Sequence, residues 1–239
     1  MSFLDQVFHW FTTAGRWTGA DGILVRLGHQ LELSAAVVVA SAVIGVGVGL
    51  ILGHTGRGSF LAINVANACR AIPSLALLTL LAIQPSIGLK ASGFLAAFLA
   101  LVPLAMLPIL TNTYVGVRQV DPDARAAGVA MGMTSGQLLR RVLLPLAMPL
   151  VMAGLRTAAV EVVATATLAA YVSFTDLGSY IFAGLATRNS VETFAGAVLV
   201  ALLAGLTDLA MAGAQRALTP AGLRHGRHTP LTGVARTRA

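Results

Sequence analysis

Residues Val120 to Pro149 read VDPDARAAGVAMGMTSGQLLRRVLLPLAMP, the longest polar interruption between two strongly apolar segments of the chain. Asp121 suits a helix N-cap, and Pro122 then falls at the first helical position, where its missing N–H leaves nothing unpaired. Asp123 adds a second negative charge in that first turn, where the helix dipole favours it. Gly132 supplies a stop for this short helix. Thr134-Ser135-Gly136-Gln137 reads as a capping box, with Gln137 reaching back to the Thr134 cap. A second helix is expected to carry Gln137 to Arg141 and to end near Leu144-Pro145. The stretch therefore predicts helix, turn, helix, flanked by basic residues and set between two membrane spans.

The rest of the chain makes the membrane reading necessary. Of 239 residues, 56% are hydrophobic and only 10% charged, with a mean hydropathy of +0.82. That composition excludes an ordinary soluble domain and predicts an all-α, polytopic membrane protein. Small residues are plentiful and aromatic ones scarce, as suits close helix packing in lipid. The net charge of +7 sits in loops between apolar spans, so it reflects membrane topology rather than nucleic-acid binding. Cys69 is the sole cysteine, which excludes a disulfide within the chain.

Residues 1–28 form an N-terminal segment in which Phe3, Leu4, Val7, Phe8 and Phe11 recur at helical spacing. They predict an amphipathic helix lying on the bilayer, with a disordered terminus as the alternative. No basic cluster precedes an apolar core there, so a cleavable signal is not expected. The transmembrane region, residues 29–215, divides into about five spans. Leu31 to Gly53 is the first, with Ser41, Gly45, Gly49 and Gly53 forming a ladder of small residues on one face. Leu61 to Ile83 is the second; Asn64, Asn67, Arg70, Ala71 and Ser74 gather on one side of it, and Pro73 is expected to kink it. Such a stripe faces a bundle interior or a water-filled path, because arginine at a helix centre in lipid costs about 2.5–3.5 kcal/mol on the lenient insertion scale. Ala91 to Val115 is the third span, with local breaks expected at Pro103 and Pro108. Pro145 to Val172 is the fourth, with Thr157, Glu161 and Thr165 on one face and Arg156 turned away. Its charges admit two readings: structural pairing with each other or with Arg70, or Glu161 and Arg70 lining a solute path. Val191 to Gln215 is the fifth span, with Asp208 near its inner end, and residues 216–239 read as a disordered basic tail.

Three motifs, in order, resemble one family. Gly132, nine residues, then Val142-Leu143-Leu144-Pro145 is similar to the EAA loop of ABC-importer permeases, whose core is Gly, nine residues, then Ile-x-Leu-Pro. The opening Glu-Ala-Ala falls on Ala126, Ala127 and Gly128, so the Glu is absent and Gly128 replaces the second Ala. Arg70-Ala-Ile-Pro-Ser-Leu-Ala-Leu-Leu resembles the second span of osmoprotectant permeases for betaine and choline. Ala166 to Tyr171, Leu177-Gly178 and Gly184-Leu185 do so again, whereas Ser173 to Asp176 depart from the family's Gly-rich pattern.

The resemblance implies a type I ABC-importer permease fold whose loop 120–145 is a cytoplasmic coupling helix docking into a separate ABC ATPase subunit. It assigns that contact to Ala126, Ala127, Gly128, Met131, Gly132, Met133, Leu144 and Pro145. The same resemblance, with the polar faces above, makes Asn67, Arg70, Ser74, Thr157, Glu161, Thr165 and Tyr171 candidates for the solute path. It implies a second permease subunit, the same chain or a paralogue, and an extracytoplasmic substrate-binding protein, all in a membrane of lipid. No cofactor belongs to the chain itself, ATP being bound by the partner subunit, and no metal site is expected.

Other classes fit less well. A secondary transporter working without ATP is expected to show paired broken helices in two halves, and no internal repeat is visible. An importer of another small solute, such as an amino acid, remains open. A membrane enzyme lacks support: there is no H-E-x-x-H or G-x-S-x-G, and the single lysine, Lys90, has no Walker-type surroundings. With five spans and loop 120–145 inside, Arg57, Arg118, Arg125, Arg140 and Arg141 fall on the cytoplasmic side and Arg16, Arg26, Lys90 and Arg188 outside, in keeping with the positive-inside rule. A reporter fused after Ala239 is therefore expected to be active in the cytoplasm, and activity confined to the outer face contradicts the topology.

Overall fold

The computed structural model describes residues 2–56, 64, 73–84, 93–172 and 174–219. Every regular element among them is helical; the α-helices are α1 (Phe3–Thr12), α2 (Ile23–Thr55), α3 (Ser74–Ala82), α4 (Phe94–Arg118), α5 (Pro122–Ala130), α6 (Ser135–Leu138), α7 (Leu144–Ala166), α8 (Gly178–Ala186) and α9 (Ser190–Leu218), with shorter 3₁₀ or π turns at Ala14–Arg16, Leu139–Leu143 and Thr167–Val172. Among the described residues, four continuous helical stretches are long and apolar enough to cross a membrane: Ile23–Thr55, Phe94–Arg118, Ser135–Val172 and Ser190–Leu218. The expected second span lies largely outside the described residues; α3 is its described end, and Pro73 stands at the N-cap of that helix.

The small-residue ladder of α2 is where the bundle closes. A Cβ on Gly45 would meet the Cβ of Ile109 at 3.1 Å, one on Gly49 that of Thr113 at 2.7 Å, and one on Gly53 that of Val117 at 2.7 Å. Ser41 completes the ladder by donating its hydroxyl to the Val102 carbonyl at 3.0 Å. Residue numbers rise together along both helices, so α2 and α4 run parallel and begin on the same side. A second seam joins α4 to α7: Gly116 lies against Ala147 and Leu150, and Gly154 against Pro108 and Asn112. Here the numbers run oppositely, so α7 is antiparallel to α4. Helix α4, held between these seams, is the most buried of the spans.

Four expectations are corrected. Helix α2 starts at Ile23, not Leu31, so it takes residues assigned to the N-terminal segment; its 33 residues reach about 50 Å at ~1.5 Å per residue, well beyond a hydrocarbon core. Pro103 and Pro108 do not break α4, which runs through both. Packing on two sides holds the backbone helical, as it does at prolines inside other membrane bundles. The helix opening at Ser135 does not end at Leu144-Pro145. It passes through a π turn, Leu139–Leu143, into α7. The Leu144 N–H donates to the Leu139 carbonyl, five residues back, so the proline that follows enters a register already reset and needs no donor at the first positions of α7. Finally, α1 does not lay its whole apolar stripe on lipid. Val7 and Trp10 turn inward, Trp10 meeting Tyr180 edge-on at 5.3 Å between ring centres, while Phe3, Leu4 and Phe8 stay exposed.

Replacing Gly49 by Leu should force α2 and α4 apart, and overpacking of this kind typically costs about 1–3 kcal/mol. Thermal unfolding of the purified chain in detergent is expected to show a lower Tm, and an unchanged Tm contradicts the seam.

Candidate functional site

Loop 120–145 folds as a two-helix hairpin capped at each turn. The Asp121 carboxylate accepts the Asp123 N–H at 2.8 Å and Pro122 opens α5. The helix ends in a Schellman turn: Gly132 N–H donates to Val129 at 2.9 Å and Met133 N–H to Gly128 at 3.2 Å, with Gly132 at φ +76°. A side chain there is strained although space is open around it. The Thr134 hydroxyl then accepts the Gln137 N–H at 3.4 Å and Gln137 Oε1 accepts the Thr134 N–H at 2.9 Å, which is the capping box that the sequence predicts.

The hairpin has two faces. Gly128 and Leu138 are buried and Met133 packs with Val117, Val120, Leu143 and Ala147 on the ends of α4 and α7. Gly128 makes room for Leu138, whose Cδ1 would lie 2.6 Å from an added Cβ. Arg125 ties the hairpin down by donating to the Val117 carbonyl at 3.3 Å. On the outer face Ala126, Ala127, Val129, Met131 and Gly132 are exposed, Met131 to 69%. The structure thus separates the two methionines: Met131 faces out, and Met133 serves the hairpin's own core. Leu144 and Pro145 are half-buried within α7 and lie off the exposed face.

Midway along the spans, α7 and α9 form an open groove of about 620 Å³ lined by Ala153, Arg156, Thr157, Val160, Glu161, Asp208 and Gln215. Arg156 and Asp208 make a two-pronged ion pair, Nε to Oδ1 and Nη2 to Oδ2, each 2.6 Å. Their side chains remain 38% and 40% exposed. Counting ~1.5 Å per residue, Arg156 lies roughly 18 Å from Leu144 and Glu161 about 7.5 Å further on. The expected partners of Arg156 are corrected: it pairs with Asp208, and it shares the groove with Glu161 instead of pointing elsewhere. A flexible arginine reaches around the helix further than its Cα position implies. Thr157 donates to its own helix at Ala153 (3.0 Å) and Thr165 to the Glu161 backbone carbonyl (2.8 Å).

Of the other path candidates, Tyr171 and Ser74 do not join this groove. Tyr171 is exposed and packs on Phe182 at 5.8 Å, beyond the end of α7. Ser74 is half-buried at the start of α3. Asn67 and Arg70 lie outside the described residues. At the end opposite the hairpin, Gln30 is a residue sequence reading passed over. Fully buried, it donates to the Val163 carbonyl at 2.8 Å and accepts the Leu177 N–H at 3.1 Å. His29 contacts the Thr175 carbonyl beside it at 2.9 Å. These bonds pin the segment leading into α8. Asp176 is buried there, and burial pushes its carboxyl up to about 7, with the Gly178 and Ser179 N–H groups and the Arg26 charge opposing.

Residues 45–221 match the family described as "Binding-protein-dependent transport system inner membrane component". The "Choline transport system permease protein OpuBB" of Bacillus subtilis is 35% identical over 87% of this chain and 93% of its own length. The "Carnitine transport permease protein OpuCB" of Listeria monocytogenes is 36% identical over 94% of this chain and 98% of its own. Among solved structures, the inward-facing MetNI methionine ABC transporter superposes with a TM-score of 0.73 at 25% identity, covering 83% of this chain and 97% of that one. An amino acid ABC transporter with histidines gives 0.65 at 17% identity over 92% and 98%, a likeness of fold alone.

The ion pair makes a testable demand. Arg156→Leu leaves the Asp208 charge without its partner, and Asp208→Leu does the converse. Each single variant is expected to lower the Tm in detergent, and the double variant to recover most of the loss; a double variant no better than the worse single one contradicts the pairing.

Proposed function

Since this chain belongs to the family of binding-protein-dependent transport system inner membrane components, we propose that it is the permease subunit of an ATP-driven importer of osmoprotectants such as choline, betaine and carnitine. The observation that carries the solute class is identity of 34–36% to permeases named for choline, carnitine and osmoprotectants, over 85–94% of this chain. The methionine transporter supports an amino acid as the second reading, at lower identity.

The hairpin is the element through which an ATPase would act. Its inner face is fastened to α4 and α7 by Leu138, Met133 and Arg125, so a push on the outer face moves both spans as one body. That outer face offers Ala126, Ala127, Val129 and Met131, small and adaptable apolar groups suited to a groove on a separate subunit. The absent Glu at Ala126 leaves this contact mainly apolar. In this reading the hairpin and the C-terminal end of α9 lie in the cytoplasm, the α2 N-terminus and α8 outside. A binding protein delivers the solute there, and a second permease subunit completes the path.

The test is uptake by proteoliposomes holding the permease, its ATPase and its binding protein. ATP-dependent uptake of labelled choline or betaine is expected, and a Met131→Asp permease should insert normally yet lose most of it by failing to retain the ATPase. Uptake of an amino acid alone favours the second reading. Uptake by this chain without ATP, driven by an ion gradient, overturns the importer reading.

A further inference from the structure

Resting on the importer reading, we infer that the Glu161 carboxylate receives the cationic head of the solute part-way across the membrane, and that it selects for a full positive charge. In the α7–α9 groove Arg156 commits Nε and Nη2 to Asp208. Its charge is cancelled within the pair, and among the described residues the groove keeps only the charge of Glu161. Among the described residues, Glu161 has no ion-pair partner, and the hydroxyls beside it do not turn to its carboxylate: Thr157 and Thr165 donate to helix carbonyls. Glu161 is exposed in the single chain. A carboxylate at this depth belongs against water, protein or a counter-charge, and not against lipid tails. The groove's open side is therefore the side that the second permease subunit closes.

The ligand chemistry follows from what the groove offers. A quaternary ammonium group has no N–H, so it needs no acceptor geometry and responds only to charge and shape. A bare carboxylate meets that need. The groove has about 620 Å³, ample for a small solute, and among the described residues no aromatic side chain lines it. The missing aromatic cage keeps the attraction modest, which suits a passage site that must release what it binds. Choline carries a full positive charge, whereas betaine carries its own carboxylate, which Glu161 repels. The lone acid therefore favours choline over betaine at this step.

The test compares the two solutes in one reconstituted complex. With Glu161→Gln, choline uptake is expected to fall at least about tenfold, and the ratio of choline to betaine uptake at least about threefold. Glu161→Asp should restore the ratio in part, since the charge returns on a shorter arm. Unchanged choline uptake in Glu161→Gln, or an equal loss for both solutes, overturns the inference while leaving the importer reading intact. A wild-type complex that takes up neither solute overturns both, and it does so before any variant is compared.

Discussion

The close approach of α2 to α4 is the constraint on which the rest of the structure depends. Lipid provides no hydrophobic drive for helix association, so spans must be held by contact and by the few polar bonds between them. Gly45, Gly49 and Gly53 bring backbone against the side chains of Ile109, Thr113 and Val117, and Gly116 and Gly154 repeat the arrangement between α4 and α7. Because the first seam is parallel and the second antiparallel, the C-terminal ends of α2 and α4 and the start of α7 gather at one end. The hairpin is mounted there, on the side chains of Val117, Val120, Leu143 and Ala147. At the other end Gln30, bonded to both Val163 and Leu177, locks α2 to α7 and to the entry of α8. In the importer reading, a bundle fastened at both ends in this way would carry a displacement of the hairpin along α4 and α7, toward the groove that α7 shares with α9.

Polar groups divide into those that hold the fold and those left over. Gln30, Ser41 and the Arg156–Asp208 pair have partners within the chain. The threonines of α7 are satisfied by their own helix. Glu161 is the acid that such pairing does not absorb among the described residues, and Met131 is the large side chain most exposed at the turn of the hairpin. One points into the membrane-depth groove and the other away from the bundle, and these are the two directions in which a permease subunit must meet something else.

Sequence reading served best where the physics is local. The caps at Asp121 and Thr134 and the glycine stop at Gly132 rest on contacts within a few residues, and each has the bonds expected of it. The small-residue ladder was legible because helical spacing alone puts Ser41, Gly45, Gly49 and Gly53 on one face. Reading failed where distant neighbours decide. Pro103 and Pro108 look like breaks until α2 and α7 are packed around them. Leu144-Pro145 looks like a terminus until the π turn before it is known. Asp208 is separated from Arg156 by most of two helices, and nothing local links them. The inward turn of Met133 rests on packing against Val117, Val120, Leu138, Leu143 and Ala147, residues from several elements.

The central claim is that the charged groove between α7 and α9 faces an aqueous interior in the assembled transporter. The direct measurement is reaction of a single cysteine at Thr157, in a Cys69→Ser background, with a water-soluble maleimide, using the complete complex in liposomes. A thiol must ionise to react, and it does so in water but not in hydrocarbon. Labelling of Thr157→Cys that saturating choline slows is the predicted result. A cysteine that resists the water-soluble reagent and yields only to a lipid-soluble one would place this face against the bilayer and contradict the account.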